Sequence, residues 1–407
     1  MPSHIVGKRS EYAFGAEIRL NILMASTFFS PHIGGIENHV LNLSSHLANS
    51  GHRVTIITSL LPEMKPYEIQ DDIEIVRVQS FFMPGWPCRS LSSFGFATDA
   101  DKVISRIVKK QNTEIIHAHG HHYPLTWSAL NTGRRLNVPS VLTIHGMYAL
   151  NPTNLLAKTV EEVFNRTVLR QQLRKTAAVI GLTPTVTDFA RKYGSSFNKY
   201  FTIPNGIDTR IYRENSKKKE KYREEYGIPR QKVVVLFRGR FSYVKGVLEL
   251  AEVAKAFVQQ HKDAFFVFVG GGPLYERLKE KLKSIEANSK IVAWTPPSEV
   301  HELYIASDIY VLPSKWEALP ITIIEAMASL LHIVATPVGG IKDVLADYPR
   351  KTYIEGFSAL HIAVALRKAW DSIGTNEHYC EDIDIAKYDW SIISRAITDV
   401  YRTVRVP

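Results

Sequence analysis

Short apolar runs alternate with helical patterns twice along this chain, and a charged stretch separates the two series. In the first series "LNILMAS", "RVTIITS", "IEIVRV", "EIIHAH", "SVLTIHG", "AAVIGLT" and "KYFTIPN" read as strands. Between the first two, Ile36, Val40, Leu43 and Leu47 fall on one helical face. "YRENSKKKEKYREEYGIPR" then interrupts the pattern as a solvated helix or linker. The second series follows with "KVVVLFRG", "AFFVFVGGG", "KIVAW", "DIYVLPS" and "HIVATPV". Alternation of this kind dictates a parallel sheet with helices on both faces. Two series within 407 residues give two such domains. The division is an N-terminal extension at 1–17, a domain at 18–210, a charged linker at 211–230, a second domain at 231–388 and an amphipathic terminal helix within 389–407. Open parallel sheets bind ligands beyond the carboxyl ends of their strands, so candidate site residues are sought there.

Composition narrows the class. No run of about 18 apolar residues marks a membrane span, and the first residues lack the apolar segment of a secretory signal. Cys88 and Cys380 lie far apart without metal-ligand spacing, which fits reduced thiols in a cytoplasmic protein. The net charge is +10, and residues 1–203, with 21 basic and 14 acidic residues, carry +7 of it. Such a surface serves an anionic membrane or an acidic substrate, or it serves solubility alone. Nucleic acid is not expected, since no zinc-ligand set or RNA-binding aromatic signature is present. The aromatic stretch at 81–96 suits peripheral membrane docking, and a buried or partner-facing loop explains it equally.

Several strand ends carry chemistry. In "LPSKWEALPITIIEAMAS" a strand leads into a loop with Glu317, and Pro320 opens a helix containing Glu325. A helix N-terminus suits a phosphate, and a carboxylate further along suits sugar or ribose hydroxyls. The same two residues also fit a solvated loop Glu and an ordinary helix Glu. "GRFSYVKG" places Arg240 and Lys245 in a strand-to-helix loop. Gly34 and Gly35 stand between the first strand and the first helix, where glycine lets backbone approach a ligand. Glu37 in the same turn either touches an acceptor or caps the helix start. His145 ends a strand. His117, His119, His121 and His122 resemble a metal cluster, but alternate residues of a strand face opposite sides, so no metal site is read there. Asn205, Gly206 and Asp208 shape a turn at the domain junction. Gly270 to Gly272 form a glycine-rich turn without a phosphate-loop lysine. The Asp-x-Asp strings at Asp99/Asp101 and Asp382/Asp384 follow no apolar strand and are read as chance.

Taken in order, "FSPHIGGIENHV", "FRGRFSYVKG" and "LPSKWEALPITIIEAMAS" resemble the family 4 retaining glycosyltransferases of the GT-B fold, over about Arg19 to Tyr401. That resemblance implies two Rossmann-like domains facing across a cleft, with the final helix crossing back to the first domain. It implies transfer of a hexosyl unit from a nucleotide sugar to an acceptor hydroxyl, on a glycan or a lipid, without metal or other cofactor. Arg240 and Lys245 would clamp the donor diphosphate, where negative charge develops as the sugar leaves. His145 would bond the transferred sugar, Glu317 with the backbone of Ala318 and Leu319 would hold it, and Glu325 would accept from the ribose. Gly34 and Gly35 would cover the phosphates, Asn205, Gly271 and Trp294 would lie near the nucleotide, and Glu37 and His119 would line the acceptor side. The acceptor motif resembles those of enzymes that glycosylate phosphatidylinositol or other membrane lipids. Three positions depart from the family: Ala318 and Leu330 stand where glycine is common, and Asp343 where glutamate is. They keep open a catalytically silent sugar-binding relative; a GT-B epimerase would need an acid/base set that is not recognised.

Overall fold

The computed structural model describes residues 19–32, 34–82, 95–97, 99–147, 155–194, 199–293, 295, 299–373 and 383–405. The first sheet comprises β1 (Asn21–Ala25), β2 (Arg53–Leu60), β3 (Tyr67–Gln70), β4 (Ile73–Phe82), β5 (Gly95–Ala97), β6 (Ile115–His119), β7 (Ser140–Ile144), β8 (Ala178–Gly181) and β9 (Lys199–Thr202). Its order is β3-β4-β2-β1-β6-β7-β8-β9, with β5 also on β4. All pairs are parallel except those of β3 and β5 with β4. The second sheet comprises β10 (Val233–Arg238), β11 (Ala264–Val269), β12 (Ser289–Val292), β13 (Ile309–Leu312), β14 (His332–Ala335) and β15 (Lys351–Tyr353), in the order β12-β11-β10-β13-β14-β15. The strand β11, "AFFVFV", is buried along its whole length, as a parallel strand covered on both faces must be.

Both sheets wind outward from their first strand in two directions. The reversal falls between β1 and β6 in one and between β10 and β13 in the other. At such a reversal the loops leave on opposite faces and open a crevice. The two crevices face each other, which is the GT-B architecture expected from the motifs.

The strands read from the sequence are present. Those not read are β3, β5 and β15, three short edge strands. In β3 only one of four residues is even half-buried, so no apolar alternation marks it. The charged stretch 211–230, read as a solvated helix or linker, is folded as helices Thr209–Asn215 and Lys219–Glu225. Its charges mark the outer face, while Tyr212, Tyr222 and Arg223 are buried against the second domain. The guanidinium of Arg223 donates to Asp308 at 2.7 Å and to the Ala306 carbonyl at 2.9 Å.

Two chain crossings join the domains side by side. Ile207 N–H donates to the Tyr388 carbonyl at 2.8 Å, and Trp390 N–H donates to the Ile207 carbonyl at 3.2 Å. Thr209 Oγ1 donates to Asp389 at 2.6 Å. A Cβ on Gly206 would meet the Trp390 ring at 2.5 Å, so only glycine lets the crossings touch. Beyond them the helix Trp390–Val404 returns to the first domain. Trp390, Ile393, Ile397, Val400, Tyr401 and Val404 pack into the core beneath β1 and β6, and the Tyr401 hydroxyl lies 2.6 Å from His117 Nδ1.

Candidate active site in the interdomain cleft

A cleft of about 680 Å³ separates the facing strand ends. Of the residues singled out in the sequence, Gly34, Gly35, Glu37, His145, Asn205, Arg240, Lys245, Glu317, Ala318, Leu319 and Glu325 line it. Trp294 lies outside the described residues, as does most of the aromatic stretch 81–96.

The second domain supplies the cationic wall. Arg240 and Lys245 leave the end of β10, and Gly246 ends their loop at φ +65°. A Cβ there would come 2.4 Å from the Pro313 carbonyl oxygen, so the close approach of this loop to the β13 loop requires glycine. The two loops are also tied by Lys315 N–H donating to the Val244 carbonyl at 2.7 Å. Lys245 Nζ donates to Glu317 Oε1. Glu317 rests in turn on the β14 loop, where Gly339 adopts φ +56° and a Cβ would strike the Glu317 carbonyl at 1.9 Å. Behind Glu317, Pro320 precedes the helix Ile321–Ala328, whose first residues face the cleft.

Glu325 lies on the floor of the cleft. Arg238 Nη1 donates to its Oε2 at 2.6 Å, and the Tyr304 hydroxyl donates to the same oxygen at 2.9 Å. Burial works against the Arg238 charge, and the Glu325 carboxylate more than offsets it, so the guanidinium pKa is raised. Burial and then Glu325 push the Tyr304 hydroxyl well above its usual range. The helix ends with Leu330 at φ +58°, the left-handed conformation that glycine fills more cheaply. This is where the sequence departs from the common glycine, and a Leu here carries about 1 kcal/mol of backbone strain.

The first domain supplies the opposite wall. Glu37 folds back over the helix start: His32 Nδ1 lies 2.8 Å from its Oε1, and a Cβ on Gly34 would meet its Oε2 at 2.2 Å. The helix therefore begins at Gly35 without a conventional side-chain cap. Asn205 joins the walls. Its Nδ2 donates to the Leu319 carbonyl at 2.8 Å, and its Oδ1 accepts from His39 Nδ1 at 3.0 Å.

One expected position is corrected. His119 does not line the cleft: it is 0% exposed, beneath His145, with its Nδ1 3.1 Å from His145 Nε2. The strand end of β6 lies below that of β7, so His145 covers it. Gly271 is also absent from the lining residues. Its carbonyl accepts the Phe241 N–H at 2.7 Å, which ties the glycine-rich turn to the Arg240 loop.

Among the described residues, His39, His119 and His145 bring ring nitrogens within 4.8 Å of one another. Here two of the rings are bonded to each other and the third to Asn205.

Burial lowers His39 to about 4 and His117 to about 3. It also holds His119, His121 and His145 well below the ordinary 6.5. All five are neutral in the folded protein at pH 7. The unfolded chain binds protons on these rings as pH falls through 6.5, whereas the folded protein refuses them until far lower. Protonation therefore favours unfolding below pH 6.5. Each ring withdraws about 1.4 kcal/mol per pH unit between its unfolded and folded values. We expect the unfolding free energy, measured in urea, to be level above pH 7 and to drop by several kcal/mol per unit below pH 6. Stability unchanged down to pH 5 would refute the neutral cluster.

The model of the family described as "Glycosyltransferase Family 4" matches residues 33–211, and that described as "Glycosyl transferases group 1" matches residues 218–381. Together they take in both walls of the cleft. The chain belongs to the family 4 glycosyltransferases.

Among its curated relatives, a phosphatidylinositol N-acetylglucosaminyltransferase subunit from Arabidopsis thaliana is 26% identical over 334 residues, covering 81% of this chain and 70% of the relative. The D-inositol 3-phosphate glycosyltransferase of Corynebacterium glutamicum is 24% identical over 388 residues, covering 90% and 91%. Among solved structures, a glycosyltransferase from Rickettsia africae superposes with a TM-score of 0.70 at 20% identity, over 95% of this chain and 98% of that one. Anabaena Alr3699/HepE in complex with UDP and glucose gives 0.68 at 18%, over 95% and 100%. In this family 4 glycosyltransferase the sequence motifs did not mark Arg238, His39 or Trp390, although all three are in or directly behind the site. Arg238 had one available signal: it is a charged residue at the end of an otherwise apolar strand, two residues before Arg240.

Proposed function

We propose that this glycosyltransferase moves a hexosyl unit from a nucleoside diphosphate sugar to a hydroxyl of an inositol-bearing membrane lipid, with retention of anomeric configuration and without a metal ion. One observation carries this reading: Arg240, Lys245 and the N-terminus of helix Ile321–Ala328 converge on one side of a cleft whose other side presents His145. The cationic side suits a diphosphate, for which an Arg fork and a Lys point charge replace the neutralising role of a cation.

In the free enzyme Lys245 is paired with Glu317. A bound diphosphate attracts Lys245, and Glu317 becomes available to accept from the sugar hydroxyls. Glu325, anchored by Arg238 and Tyr304, is placed to accept from the ribose. His145, neutral at pH 7, holds the sugar from the acceptor side. Glu37, the carboxylate near that face, is engaged by His32, which favours departure and attack on the same face over a covalent intermediate. The departing phosphate then takes the acceptor proton. Closure of the cleft keeps water from the donor. The inositol acceptor is supported by two relatives whose names both specify inositol compounds. The uridine base is supported by the UDP bound to HepE.

The test is a thermal-shift screen with UDP, GDP, ADP and their sugar conjugates, followed by mass spectrometry of phosphatidylinositol incubated with the best donor and EDTA. Ligands that bind only the folded state raise its melting temperature, by about 2.7 kcal/mol of stabilisation at a hundred times Kd. A shift with UDP sugars and a lipid product heavier by one hexosyl unit are expected. Donor binding without transfer to any acceptor would replace this reading with a silent relative.

A further inference from the structure

The helix Leu155–Phe164 follows the loop after β7 and continues through a wide turn at Asn165–Leu169 into Arg170–Leu173. The rod is 19 residues long, about 28 Å. Its inner side is tied to the cleft. Glu161 is buried with Oε1 3.0 Å from His122 Nε2, and Phe164 stacks on the His122 ring at 5.4 Å. His122 adjoins Tyr123, which lines the cleft.

Its outer side begins as an exposed apolar face. Leu155 is 80% exposed, Leu156 73%, Val160 48% and Val163 58%. At 100° per residue these four fall within an arc of about 140°. Single exposed apolar residues need no explanation, but four on the first nine residues of one helix form a patch. Beyond the patch the charge changes sign: Arg166, Arg170 and Arg174 are all exposed. Arg166 pairs with Glu162 at 2.7 Å, and neither Arg170 nor Arg174 has an acidic side-chain partner among the described residues. Apolar turns followed by cationic turns are the pattern of a helix lying in a membrane interface, with its aliphatic side chains in the acyl boundary and its arginines at lipid phosphates.

We propose that the outer face of residues 155–174 docks on an anionic bilayer. The rod and the cleft share the loop containing His122 and Tyr123, so docking sets the acceptor mouth against the headgroups. The inference rests on the lipid-acceptor reading and names the surface that brings the enzyme to that lipid. This face is separate from the aromatic stretch 81–96.

The experiment is sedimentation of the full chain with vesicles of phosphatidylcholine alone and of phosphatidylcholine with phosphatidylserine, at low and high salt. Binding to the anionic vesicles that weakens with salt is expected. Leu155→Glu with Val163→Glu should weaken it by at least about tenfold, since both apolar contacts are lost and anionic charge is brought to the lipid. Arg170→Glu with Arg174→Glu should remove the preference for anionic vesicles. Both variants should keep the nucleotide-induced thermal shift, which separates lost docking from lost folding or donor binding. Wild-type-like sedimentation of the first double variant would overturn the surface while leaving the donor and acceptor assignments intact. Failure of the native chain to bind either vesicle, with self-association through this face in light scattering, would assign the patch to a second copy and overturn the proposal.

Discussion

Replacing Lys245 by alanine is expected to lower transfer about 10²–10³-fold while leaving the fold intact. Removal of one preorganised group from a site of developing charge costs about that much. The pairing of Lys245 with Glu317 adds to the effect. Without the ammonium, the Glu317 carboxylate faces the donor diphosphate with no counter-charge from this position. The loop itself should survive, since its course is fixed by Gly246 against Pro313 and by the bond from Lys315 to Val244. Steady-state turnover and melting temperature, measured on the same preparation, read the two parts separately. Lys245→Arg should recover part of the rate, because the charge returns with a different shape. A Lys245→Ala enzyme with native turnover would falsify the diphosphate clamp.

The second large effect is on stability. Arg238→Met leaves Glu325 buried beside Tyr304 without its cation. Breaking one partner of a buried pair costs about 3–5 kcal/mol, because a charge is stranded. Urea unfolding should show that loss, with the double variant Arg238→Met/Glu325→Met regaining more than half of it. Donor affinity should not return in the double variant, since Glu325 is the proposed ribose acceptor. A cost below about 1 kcal/mol for Arg238→Met would show that the pair is better solvated than its burial implies.

The architecture was legible because parallel strands covered on both faces must be apolar throughout. "VVVLF" and "AFFVFV" have no other comfortable place in a soluble fold. Edge strands lack that constraint, and β3, exposed along nearly its whole length, left no trace in the pattern. The burial within 211–230 was hidden for a related reason. Charge dominates the composition there, while two tyrosines and one arginine decide the packing. In the cleft, lining residues carried on local loops were visible from their motifs. Those that act through distant partners were not: Arg238 and Glu325 are 87 positions apart, and His39 and Asn205 are 166 apart. The same limit explains His119. A histidine at a strand end can point into a cleft or lie beneath the next strand's histidine, and only the height of β7 relative to β6 decides it.

The returning helix Trp390–Val404 has a consequence for how the protein is made. Six of its side chains complete the apolar core under the first sheet, and Tyr401 bonds His117 within it. Domains generally fold in the order in which they leave the ribosome. Here the earlier domain cannot close its own interior until residues 390–404 have emerged, after the whole of the later domain has been synthesised. Until then the apolar side chains that Trp390 and Tyr401 cover in the folded protein lack that cover. The half of the molecule that is translated first is thus the half that matures last.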